Sequence, residues 1–144
     1  MRYFHGSYIP LEVGLIMKGR GEEYEKDWCE TDFYLILEKY RPKEYLPHKQ
    51  AVFMTNCVDD IDNAGGATEW VFEVKPVGQV SRHDLNWSSE ISCLIGDGHP
   101  DDYPPIIQAA NNYWSGKPRS NESLWEYLVK EVIIIRCEPF DTFK

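Results

Sequence analysis

The chain has 144 residues, 42% of them hydrophobic and 14% aromatic, which is ample for one packed core and excludes a disordered chain. With 24 acidic and 15 basic residues the formal net charge is −9. That balance argues against general nucleic-acid binding, because affinity for phosphates rests on clustered Lys and Arg.

Residues 1–5 read as a short strand, and residues 14–25 as a charged loop punctuated by Gly14, Gly19 and Gly21. Phe33, Ile36, Leu37 and Tyr40 recur at helical spacing up to Arg41-Pro42, where the residue before proline is pushed out of the α region. A turn at Pro47 leads into a β-type run over residues 51–55, and residues 59–66 read as a loop. Trp70, Phe72 and Val74 then alternate with Val71, Glu73 and Lys75 as in a half-buried strand. A second helix is predicted over 101–114. An aspartate precedes Pro104-Pro105 in its first turn, Ile106, Ala109, Ala110 and Tyr113 share one face, and Gly116 stops it. Two strands over 124–129 and 131–137 close the chain. No repeat, low-complexity tract or linker divides the sequence, so a single α+β domain over 1–144 is expected.

Cys29, Cys57, Cys93 and Cys137 are scattered without a C-x-x-C pair, and the first residues lack the apolar stretch of a secretory signal. Reduced thiols and a cytoplasmic location are expected. The longest apolar run, Val132-Ile133-Ile134-Ile135, falls far short of the roughly 18 residues a membrane span requires, and no membrane partner is expected.

Two short segments carry the chemistry. In Tyr3-Phe4-His5-Gly6-Ser7, alternation puts Tyr3 and His5 on one face of a strand, and Gly6 permits close approach to a backbone whose N–H and C=O can pair with a flat carboxamide. In Leu124-Trp125-Glu126-Tyr127-Leu128-Val129, both faces of the strand are apolar except for Glu126. Such a carboxylate must reach a cleft or lose its hydration, and a cleft is the expected solution. A turn histidine and an edge-strand glutamate facing water are the plainer alternatives.

Other signals are weaker. Asp60-Ile61-Asp62-Asn63-Ala64-Gly65 opens like a calcium loop, but Ala64 and Val71 occupy ligand positions that require oxygen donors. His48, His83 and His99 form no ligand pair with the cysteines, so no metal site is expected. The basic strip Lys117-Pro118-Arg119 could touch a pyrophosphate but reads first as a solvated loop.

Phe4-His5-Gly6-Ser7 resembles the first-strand motif of the ADP-ribosyltransferases whose signature is histidine, tyrosine and an acidic residue, the branch of diphtheria toxin and the poly-ADP-ribose polymerases. Trp125-Glu126-Tyr127-Leu128-Val129 is similar to their closing motif. Val52-Phe53-Met54-Thr55 resembles the middle motif of small bacterial members such as the rifampin-modifying enzymes, with Arg41-Pro42 and Leu46-Pro47 like the approach to it. Phe53 stands where the family has tyrosine; it retains an aromatic face and lacks the hydroxyl. Leu124 stands where the arginine-specific branch carries Gln or Glu, which disfavours arginine modification.

The resemblance implies a split β-sheet with a few flanking helices, NAD as co-substrate, and release of nicotinamide through an oxocarbenium-like ribosyl cation. It implies Glu126 as the catalytic carboxylate, His5 on the adenosine-side ribose, the Gly6 backbone on the carboxamide, Ser7 supporting the turn or ribose, and Phe53 stacking on nicotinamide. The expected acceptor is a macromolecule, a protein in the first place, and the net charge of −9 points to a basic one; the chain is close in length to small bacterial or phage effectors of that kind. A rifampin-type small-molecule transferase and a catalytically silent NAD- or ADP-ribose-binding domain are the alternatives. Acceptor choice is expected to lie in loops over residues 18–28 and 84–102.

Overall fold

The structure is a computed structural model and describes residues 1–143. Its β-strands are β1 (Tyr3–Ser7), β2 (Ile16–Lys18), β3 (Val52–Met54), β4 (Trp70–Val77), β5 (Ser81–Asp84), β6 (Trp125–Val129) and β7 (Glu131–Pro139). They form two antiparallel sheets, ordered β1-β4-β7-β2 and β3-β6-β5. The α-helices are α1 (Glu22–Trp28), α2 (Asp32–Lys39), α3 (Asp60–Asn63), α4 (Asn86–Gly96) and α5 (Pro104–Ser115). Short 3-10 turns occupy His48–Gln50 and Phe140–Phe143. The chain is thus an α+β fold with two antiparallel sheets. Among the described residues no helix is long and apolar enough to cross a membrane.

Strand alternation distributes side chains among three cores. Tyr127 and Val129 of β6 join Val52, Met54, Phe72, Val74, Val132 and Ile134 between the two sheets. Leu128 points the other way and packs with Ile36, Leu37, Ile91, Ile106 and Tyr113 beneath α2, α4 and α5. Phe4, Val71 and Ile61 form a third cluster on the far face of the larger sheet. One bridge joins the sheets: Phe4 and Thr55 exchange backbone hydrogen bonds of 2.8 and 2.9 Å.

Several expectations are corrected. Helix α5 begins at Pro104 and not at Asp101, because Tyr103, preceding proline, is held at ψ 126° outside the helical region; Asp101 bonds Lys39 instead, at 2.9 Å. Gly116, at φ +77°, terminates the helix as expected. Residues 60–63 are a helical turn whose Ile61 is buried, within the stretch read as a loop. The stretch 84–102 is mostly helix: Trp87, Ile91, Leu94 and Ile95 of α4 repeat at helical spacing and pack toward α5. The glycine-rich stretch 14–25 contains β2 and the start of α1, whose Tyr24 is buried.

Buried Asp84 fixes the entry to β6. Its carboxylate accepts the backbone N–H groups of Asn86, Arg119 and Leu124 at 3.0, 2.8 and 3.2 Å. A buried carboxylate needs such donors, and these tie the end of β5 to the loop before β6.

Candidate active site

Glu126 lies on the central strand of the smaller sheet, opposite His83 of β5. It is therefore not an edge-strand residue. Nor does it face an open cleft, as had been expected; its residue is only 7% exposed and it looks toward the helical layer. The carboxylate survives there because Tyr113, in the last turn of α5, donates its hydroxyl to Oε2 at 2.9 Å. No hydrogen bond to Oε1 is made by the described residues. Burial outweighs the tyrosine bond and pushes the Glu126 pKa up to about 7.

The Tyr113 hydroxyl also lies 2.9 Å from Nε2 of His48, a residue 2% exposed and ringed by Tyr24, Tyr34, Phe53, Tyr113 and Trp114. The His48 position is set by its backbone N–H, which donates to Glu38 at 2.9 Å; Glu38 also takes Arg41 at 3.2 Å. Burial, followed by His83 and Arg41, pulls the His48 pKa down to about 3, so its ring is neutral. The neighbouring ring of His83, lowered to about 4 by burial, donates Nδ1–H to the Tyr113 carbonyl at 2.8 Å and accepts from Ser81 at 2.7 Å.

The first-strand residues reach this network through Phe53. His5 Nδ1–H donates to the Phe53 carbonyl at 2.7 Å, and burial keeps the imidazole neutral by lowering its pKa. Its Nε2 then carries a lone pair suited to a hydroxyl donor. The Phe53 ring meets His48 edge-on at 5.4 Å and stacks on Tyr24 at 5.1 Å with 16° between planes. Four of the expected residues take these positions: His5 and Phe53 in direct contact, Glu126 linked to them through His48 and Tyr113, and Gly6 adjoining His5.

Gly6 has a role that the sequence did not reveal. A Cβ there would lie 2.0 Å from the Ala67 carbonyl oxygen and 2.6 Å from Ile61 Cγ2, so glycine is required by the chain's own close packing. Its peptide groups, like those of Phe4, point away from β4, since N–H and C=O directions alternate along an antiparallel strand. Ser7 supports a turn, donating its hydroxyl to Ile9 C=O at 2.7 Å and accepting Ile9 N–H at 3.2 Å. The Lys117–Arg119 strip is engaged by the scaffold: Lys117 C=O accepts Trp87 Nε1–H at 2.8 Å, and the Arg119 guanidinium faces Glu90 at 3.4 Å.

Tyr24, His48 and Tyr113 were not singled out by sequence as site residues. A signal existed for Tyr113, the one hydroxyl on the apolar stripe of α5, since a buried tyrosine needs a hydrogen-bond partner. Tyr24 and Trp28, spaced four apart within a charged segment, carried a similar hint. Arg20, close enough to act on both His5 and Tyr24 and paired with Asp27, is a further cation beside the site. In comparisons with protein-family models and with curated proteins, the sequence matches none.

Proposed function

We propose that the chain is an NAD-dependent mono-ADP-ribosyltransferase acting on a macromolecular acceptor, most suitably a protein. The observation that supports it best is the contiguity of His5, Phe53, His48, Tyr113 and Glu126, which joins the three family-like segments through contacts of 2.7, 5.4, 2.9 and 2.9 Å. Two features of that site suit the chemistry. Neutral His5 can accept from a ribose hydroxyl, and Tyr113 holds one oxygen of the Glu126 carboxylate in place.

In the proposed reaction the bond between ribose C1′ and the nicotinamide nitrogen breaks, and its electron pair leaves with neutral nicotinamide. The ionised Glu126 accepts a ribose hydroxyl and stabilises the ribosyl cation. An acceptor nucleophile then bonds to C1′ and gives up its proton, for which a carboxylate with a pKa of about 7 is a competent base. Gly6 would hold the carboxamide through its backbone, and Ser7 shapes the adjoining turn. NAD is consumed as co-substrate.

A catalytically silent NAD- or ADP-ribose-binding domain is the second reading, favoured by the ring of Tyr24 lying over Phe53. Incubating the protein with labelled NAD and a cell lysate separates these readings. Label recovered on protein, with stoichiometric nicotinamide release, supports the proposal. Label on a free small molecule moves the assignment to a rifampin-type transferase, and NAD binding without turnover to the silent domain.

A further inference from the structure

A tyrosine hydroxyl has one proton, and Tyr113 spends it on Glu126 Oε2. The contact with His48 is then a bond only if His48 Nε2 carries the hydrogen and donates to the tyrosine oxygen. That leaves His48 Nδ1 bare. This atom is buried and has no partner among the described residues. The arrangement has a direction. Reversing it, so that a protonated Glu126 donates to Tyr113 and Tyr113 to His48, would move the imidazole hydrogen to Nδ1. A buried N–H would then face only aromatic rings with no acceptor, which is costlier than an idle lone pair.

We infer that His48 and Tyr113 are positioning residues whose hydrogen bonds run one way toward Glu126, holding its carboxylate in place and favouring its ionised form. The inference rests on the ADP-ribosyltransferase reading for the use of that anion, but the hydrogen-bond chain stands on the geometry alone. Other groups near the carboxylate do not substitute for it. His83, across the strand pair, is neutral and saturated by Ser81 and the Tyr113 carbonyl. Tyr24 of α1 is kept protonated by burial and by Glu126 itself. Glu38 and Arg41 act on Tyr113 and His48, and they bond to each other. Arg20 acts on Tyr24 and pairs with Asp27.

The test is nuclear magnetic resonance on the whole chain, with ¹⁵N-labelled histidine and ¹³C-labelled glutamate carboxyls, followed by pH profiles of NAD turnover. In the wild type, His48 should be the Nε2–H tautomer from pH 5 to 9. The Glu126 midpoint should rise by about one pH unit in Tyr113→Phe, the effect of losing one charge-assisted hydrogen bond. His48→Leu should raise it in the same direction, and His48→Gln, which restores a donor, should bring it back. The acidic limb of turnover should move with the midpoint, cutting turnover at pH 6 roughly tenfold in Tyr113→Phe. An Nδ1–H tautomer in the wild type, which needs no variant to fold, overturns the inference. An unchanged Glu126 midpoint in folded Tyr113→Phe does so as well. Absence of NAD turnover in the wild type refutes the enzymatic reading instead, and the tautomer and midpoint still decide the hydrogen-bond chain.

Discussion

Tyr24 lies flat over Phe53, with ring centroids 5.1 Å apart and planes inclined by 16°. One face of Phe53 is thus covered by the chain's own tyrosine. Tyr24 comes from a seven-residue helix whose polar ties include Gly21 N–H to Lys49 C=O at 2.7 Å and the half-exposed ion pair Lys49–Glu25 at 3.1 Å. The Tyr24 ring is buried and also meets Trp28, Tyr34 and His48, so any ring that takes its place on Phe53 must displace a packed side chain.

On the proposed stacking of nicotinamide on Phe53, Tyr24 competes with the ligand, and two substitutions act with opposite signs. Phe53→Ala should weaken NAD binding by about 1–3 kcal/mol, whereas Phe53→Tyr retains it. Tyr24→Ala should tighten binding by roughly 3- to 10-fold, the worth of the stack it removes. Calorimetric titration with NAD measures both. Weaker binding in both alanine variants would show Tyr24 to be a wall of the site, with no need to vacate it.

Replacing the carboxylate separates chemistry from folding. Glu126→Gln should lower NAD turnover by about 10²–10³ while leaving binding nearly intact, because the lost group acts on charge that develops in the transition state. Unchanged turnover by the variant would remove Glu126 from the mechanism.

The same residue makes stability depend on pH. Its folded pKa, about 7, lies above the ordinary 4.5, so the unfolded chain releases its proton first as pH rises. The proton-linked stability is complete below about 4.5, declines through 7 and is gone above it, a loss on the order of 3 kcal/mol. Glu126→Gln cannot lose it. Urea unfolding at pH 5 and pH 8.5 should show the variant gaining on the wild type at the higher pH, and a constant difference would contradict the burial effect.

Gly6→Ala should destabilise the fold by about 1–3 kcal/mol or more, because its new methyl would meet the Ala67 carbonyl at 2.0 Å and backbone cannot swing aside as a flexible side chain can. Denaturation midpoints check this directly. A neutral result would mean that the loop carrying Ala67 yields freely.

Charge bears on the acceptor. A protein of net charge −9 with Glu22, Glu23 and Glu25 in the first turn of the helix beside the site should favour a basic acceptor. Attraction of that kind is screened over about 8 Å at physiological ionic strength. Transfer to basic proteins should therefore fall as salt rises, while NAD hydrolysis without acceptor changes much less. Label recovered chiefly on RNA or DNA would count against this.

How much of this was legible in the sequence depended on the range of the interactions involved. The strands bearing His5, Phe53 and Glu126 follow from two-residue alternation, and α2 from its apolar spacing, because these are local patterns. Helix α4 has the same spacing in Trp87, Ile91, Leu94 and Ile95, but its polar intervening residues read as loop until packing against α5 reveals the stripe. The apolar neighbours of Glu126 left it a cleft or burial; the cleft was the expected answer and burial is the observed one. That burial relies on a hydroxyl from another helix and an imidazole held by Glu38, contacts between positions remote in the chain. Gly6 carried its signal openly but for a different reason, since the backbone approaching it belongs to Ala67.

The reciprocal bonds between Phe4 and Thr55, 2.8 and 2.9 Å, do for the two sheets what a dowel does for two boards. Apolar contact between the sheets is non-directional and tolerates sliding, whereas a pair of opposed peptide hydrogen bonds does not. His5 follows one end of the dowel directly, and Phe53 lies two residues from the other. A proline at position 55 would withdraw one of the two bonds and leave each half its own ladder and much of its apolar packing. Such a chain could retain its secondary structure and still be misaligned by a fraction of a residue at the seam, where the His5–Phe53 bond of 2.7 Å leaves no slack.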